Sequence, residues 1–80
     1  MDVAELLVAN KADVNSKDVS GCTPLWDAAS NGHLDVVKLL MANEAEVNAR
    51  GWANRTPLGV AKVKKHEDVV EFLRQRGGQE

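Results

Sequence analysis

Few side chains in this chain have the chemistry of a reactive centre, and their spacing limits what each can do. Cys22 is the single cysteine. Exposed near a helix N-terminus it would be a reactive thiol, whereas on a packed loop it is a small inert group. One cysteine forms no internal disulfide, which suits a reducing compartment. His33 and His66 are the only histidines. In equivalent elements they stand one helix-packing distance apart, on the order of 10 Å, too far to share a metal without other ligands. No cysteine or carboxylate cluster has metal spacing, so both read as turn histidines. Lys62, Lys64, Lys65 and His66 form a basic patch of the kind that meets nucleic acid or anionic lipid, but the polar surface that a terminal unit needs explains it more simply. Asn54-Arg55-Thr56 matches the glycosylation acceptor pattern. Thr56 has a structural role as a helix cap, and an intracellular chain does not meet the glycosylating enzyme. There is no Gly-rich phosphate loop, no metal motif, and no nucleophile with an evident base and orienter. These residues predict no catalysis, no cofactor and no metal.

Eighty residues allow one small domain. The chain is 44% hydrophobic and 28% charged, which argues for folding over disorder. A formal net charge of -2 argues against nucleic acid as the partner, since that binding is driven by Lys and Arg neutralising phosphates. Asp2 and Glu5 sit where a secretory leader would be basic, and the apolar run from Leu6 to Ala9 is too short for one. No stretch approaches the length of a membrane span. The expectation is a soluble, intracellular, cytoplasmic protein with no membrane partner.

The elements that position these residues follow from an internal repeat. Thr23-Pro24-Leu25 recurs as Thr56-Pro57-Leu58, a shift of 56 − 23 = 33 residues. The same shift carries Ala28 to Ala61, His33 to His66 and Asp35-Val36-Val37 to Asp68-Val69-Val70. Backwards, it carries Leu39-Leu40 to Leu6-Leu7 and Asn48 to Asn15. The chain thus reads as one domain, 1–80, with a half-unit (Met1 to Lys17), a full unit (Asp18 to Arg50) and a last unit (Gly51 to Glu80). Thr23 and Thr56 are good N-caps because a hydroxyl accepts the orphan N–H groups of a first turn. Pro24 and Pro57 follow at the first helical position, where a missing N–H does no harm. First helices are predicted over Pro24 to Asn31 and Pro57 to Lys64, with Gly32 making the tight reversal. A second helix is predicted from Leu34 to Ala42, where Val36, Val37, Leu39 and Leu40 lie on one face. Val69, Val70, Phe72 and Leu73 repeat that face. Glu46 to Asn54 returns as an extended turn. No unit buries its apolar face alone, and stacking creates a continuous core.

The string Asp18-x-x-Gly21-x-Thr23-Pro24-Leu25-x-x-Ala28-Ala29-x-x-Gly32-His33, continued by Val36-Val37, Leu39-Leu40 and Ala45-Glu46-Val47-Asn48, resembles an ankyrin repeat. The period also matches that family's. The resemblance covers almost the whole chain. It implies an all-α solenoid of stacked helix-turn-helix units joined by β-hairpin-like loops, and a role in binding other proteins. Several residues depart from the family pattern. Trp26 and Gly59 replace the His of Thr-Pro-Leu-His, which removes a side chain that ties neighbouring loops by hydrogen bonds; Trp26 is expected to offset this by filling space. Lys11 and Glu44 replace a Gly that ends the second helix, and left-handed geometry there costs each about 1–2 kcal/mol. In the last unit Lys62 replaces Ala and Lys65 replaces Gly, and Arg74, Gln75 and Arg76 extend the polar surface, as in a C-terminal capping repeat.

By resemblance, the binding positions are loop tips and the outer face of the first helix: Val19, Ser20, Cys22, Asp27 and Ser30, then Trp52, Ala53, Arg55 and Val60. The competing reading is an ordinary solvated surface. Trp52 lies at a loop tip, where it either anchors a partner or folds back on the neighbouring loop. The leading expectation is therefore a module that captures a partner protein without catalysis. The alternative is a structural piece of a longer array, or a self-associating chain. Met1 opens directly on a second helix, so Val3, Leu6 and Leu7 are expected to show apolar surface to a second copy.

Overall fold

A computed structural model describes residues 14–80 of the chain. The half-unit's apolar residues Val3, Leu6 and Leu7, and the proposed strained turn at Lys11, lie outside the described residues.

Two helix pairs follow one another: α1 (Pro24–Ser30) with α2 (Leu34–Ala42), then α3 (Pro57–Val63) with α4 (Glu67–Gln75), and a 3-10 turn, Trp52–Asn54, precedes α3. There is no strand among the described residues, so the all-α expectation holds. Thr23 and Thr56 open equivalent helices. The Thr23 hydroxyl accepts from the Trp26 N–H at 3.3 Å and the Thr56 hydroxyl from the Gly59 N–H at 3.0 Å.

All four helices end the same way. A left-handed residue follows each: Gly32 (φ 70), Glu44 (φ 69), Lys65 (φ 63) and Gly77 (φ 87). The next N–H reaches back across the turn, His33 to Ala28 O at 3.0 Å, Ala45 to Leu40 O at 3.1 Å, His66 to Ala61 O at 2.9 Å and Gly78 to Leu73 O at 2.7 Å. This satisfies carbonyls that a helix end otherwise leaves unpaired. Glu44 has the geometry expected of it. Lys65, which also replaces a Gly of the family pattern, shares that geometry.

Helices of seven and nine residues do not persist alone in water. They are held by stacking: α1 packs on α2 and on α3, and α3 packs on α4. Leu25 and Leu58 from the first helices, with Leu40 and Leu73 from the second, are at most 1% exposed. Burying each contributes about 1.5–3 kcal/mol.

Side chains also stitch one unit to the next at the repeat's own spacing. The Asn15 amide donates to Glu44 O at 3.2 Å and its oxygen accepts from the Glu46 N–H at 2.7 Å. Asn48 does the same to Gly77 O (3.2 Å) and the Gln79 N–H (2.8 Å). His66 Nε2 lies 3.2 Å from Ser30 O, so this turn histidine ties the α3–α4 turn to the end of α1. A Cβ on Gly32 would lie 2.6 Å from His66 Nδ1, so this position needs glycine both for its φ and for the ring. Trp26 does more than fill space. Its indole N–H donates to Arg55 O at 3.0 Å, so this position still ties α1 to the following loop by a hydrogen bond.

Candidate functional site

The nominated surface is built on two loops in register. In the first, the Asp18 N–H donates to Cys22 O at 2.9 Å, and Gly21 (φ 81) supplies the left-handed turn. The Asp18 carboxylate accepts from the Ser20 N–H at 2.9 Å and the Cys22 N–H at 3.0 Å, which braces the loop from within. In the second, the Gly51 N–H donates to Arg55 O at 2.9 Å. Here the chain turns through two left-handed residues that are not glycine, Ala53 (φ 60) and Asn54 (φ 58). Arg50 braces this loop, its guanidinium donating to Asn54 O at 2.8 Å. Each loop closes like a hairpin end with no ladder beyond it.

The tips of both loops are apolar and exposed. Val19 is fully exposed, and Trp52, at the same register position, is 66% exposed. Trp52 therefore does not fold back out of solvent. Ser20, Ala53, Arg55 and Asp27 are exposed beside them. Ser30 is half-buried at the end of α1, where its carbonyl meets His66.

Two nominated contact residues are not available. Cys22 is 4% exposed because the following loop lies on it. The Trp52 N–H donates to its Sγ at 3.2 Å, and a Cβ on Gly51 would come within 2.9 Å of that sulfur. The thiol is an acceptor inside an interface, not a reactive or contact group. Val60 is 3% exposed and sits in the apolar core with Leu58 and Ala61. Its apolar side chain belongs to the stack, whereas Asp27, at the same position of the preceding unit, remains in water.

The electrostatics divide the surface in two. Around the first loop, ligand-type atoms of Asp18, Cys22 and Asp27 lie within 4.8 Å of one another, a grouping that sequence spacing did not suggest. Asp18 and Cys22 are already engaged in holding the loops. Partial burial and, second, the Asp18 charge push the Asp27 carboxyl above its ordinary range. Around the second loop, Arg50, Arg55 and Lys62 border an open groove of about 530 Å³ with Glu80 at its edge. Of the nominated residues, Val19, Ser20, Trp52, Ala53 and Arg55 are exposed on the two loops, Asp27 and Ser30 lie on α1, and Cys22 and Val60 are buried.

Among the described residues no helix is long and apolar enough to cross a membrane. The family model described as ankyrin repeats, in three copies, matches residues 1–80. No curated protein matches the chain.

Proposed function

We propose that this chain, which belongs to the ankyrin-repeat family, captures a partner protein through its two loop tips and the exposed face of α1. Ankyrin repeats are in general protein-interaction modules and typically not catalytic. The observation that carries the reading is the pair of apolar tips. Val19 and Trp52 are held out in solvent at matching positions by braced loops. An indole left in water gives a folded chain nothing, while an exposed Trp beside an Arg is the composition of a binding hot spot. Ser20, Asp27, Ser30, Ala53 and Arg55 complete the face.

The test is capture of a partner by the immobilised chain, read by mass spectrometry and then by affinity. Trp52→Ala is expected to weaken capture by about thirtyfold or more, the scale of a hot-spot truncation, and Arg55→Glu to abolish it. The helical circular dichroism of both stays native, because both side chains are exposed. Undiminished capture by both variants removes the proposed face.

A further inference from the structure

Between the two stacked units, the Trp26 ring spans from α1 to the following loop and donates to Arg55 O. At the same position of the last unit stands Gly59, which has no side chain to put there. Beside α3 this leaves the groove of about 530 Å³ bounded by residues 53–55, Lys62, Val63 and Glu80. A Cβ on Gly59 would meet only Thr56 Oγ1, at 3.2 Å.

The groove is cationic. Arg50, Arg55 and Lys62 line it against one acid, Glu80. The Glu80 carboxylate is seated on Lys62 Nζ, so the groove already holds one carboxylate. That hydrogen bond and charge, with Arg74 further off, keep Glu80 below the ordinary carboxylate range. The segment is steadied by the Gln79 N–H donating to Asn48 and by the Thr56 hydroxyl donating to Gln79 O. Arg55 is uncommitted: among the described residues its guanidinium makes no hydrogen bond or ion pair. A guanidinium fork matches a carboxylate in two parallel bonds. An exposed lysine–carboxylate pair is weak enough to exchange partners.

We propose that this groove binds a carboxylate-bearing acidic segment of a partner protein, with Arg55 and Lys62 holding the anion and Glu80 as the built-in competitor that it displaces. The inference rests on the reading of the chain as a protein-binding module and adds a second, chemically distinct contact next to the loop tips.

The experiment titrates the full 80-residue chain, isotopically labelled, with a blocked oligoglutamate peptide at low salt. Backbone amide shifts are followed, with oligolysine and oligothymidylate as comparison probes. Shifts are expected at Ala53–Thr56, Gly59, Lys62 and Val63, and none with oligolysine. Arg55→Gln or Lys62→Gln weakens binding about tenfold, the scale of one charge-assisted contact. Glu80→Gln strengthens it about two- to fivefold by removing an exposed competing pair. Lys64→Gln, a cation outside the groove, leaves it unchanged, and circular dichroism verifies that each variant is folded. Unmoved groove amides, an equal loss in Lys64→Gln, weaker binding in Glu80→Gln, or tighter binding of oligothymidylate would each overturn the inference. Trp52→Ala separates the two readings: it keeps peptide binding if the groove is the site, whatever it does to partner capture. Trp52-dependent capture without peptide binding sinks only the groove.

Discussion

The unit from Asp18 to Arg50 has another unit packed on its far side, and among the described residues the unit from Gly51 to Glu80 does not. The backbone hardly registers the difference. Both units open on a capping Thr, end each helix on a left-handed residue and close their loop with an equivalent hydrogen bond, the second loop alone turning through two left-handed residues. The side chains register it strongly. Trp26 is buried against the next loop where the last unit has Gly59. Cys22 is covered where Arg55 is exposed, and Ala29 is sealed where Lys62 reaches out to Glu80. Gly32 has no room for a Cβ because of His66, whereas Lys65 carries a long exposed side chain in nearly the same geometry. The period therefore dictates the chain path, and the presence of a follower dictates the chemistry at the stacking positions.

The largest test of that comparison is Trp26. Trp26→Ala opens a cavity in the interface between the units and is expected to cost about 3–5 kcal/mol in chemical denaturation, a large part of a small domain's stability. Trp26→Phe keeps most of the ring and removes the N–H bond to Arg55 O. That carbonyl still accepts from Gly51, so the cost falls to about 1 kcal/mol. Equal losses in the two variants would shift the weight from volume to the hydrogen bond. A loss below about 1 kcal/mol in Trp26→Ala would mean the interface does not depend on the ring.

Much of this was legible in the sequence because it repeats locally. Thr-Pro-Leu, the Ala positions, Gly32 and the paired leucines located the first three helices to within a residue, and Glu44 declared its turn by standing where a glycine was expected. Relations between units were not legible. Burial of Cys22 and Val60, the Trp26 bond to a carbonyl 29 residues away, and the bridges from Asn15 and Asn48 all depend on what the neighbouring unit places opposite. A period read along one strand of sequence carries no such information. The identical spacing of Asn15 and Asn48 was the one available signal for those bridges, since a polar side chain repeated beside a helix end invites a backbone partner. Ala53 and Asn54 gave less warning, because only Asn is a habitual left-handed residue.

A moderate effect sharpens the comparison at the helix ends. Glu44→Gly and Lys65→Gly each relieve left-handed strain of about 1–2 kcal/mol, offset by the extra freedom glycine gives the unfolded chain. Each is expected to raise stability by about 0.5–1 kcal/mol, read as a higher denaturation midpoint. The hydrogen bonds at both turns are made by the backbone and survive the change. A lowered midpoint in either would show that its side chain holds the turn by contacts outweighing the strain.

The smallest effect lies at Asp27, the exposed acid of the first unit at the position where the last unit buries Val60. Its carboxyl is pushed up from 3.8, first by partial burial and second by Asp18. The folded chain thus holds this proton more tightly than the unfolded chain does. The charged form opposes folding in full above the folded value, and the penalty fades as pH falls toward the ordinary one. Asp27→Asn removes the charge and should stabilise the protein at neutral pH. Solvent screening at an exposed site keeps the gain below about 0.5 kcal/mol. Denaturation midpoints of the two proteins, compared at neutral pH and again below 3.8, should differ first and then converge. A gain that persists in acid would assign the effect to packing of the amide, and a loss at neutral pH would mean that the Asp27 carboxylate has a stabilising partner stronger than its repulsion from Asp18.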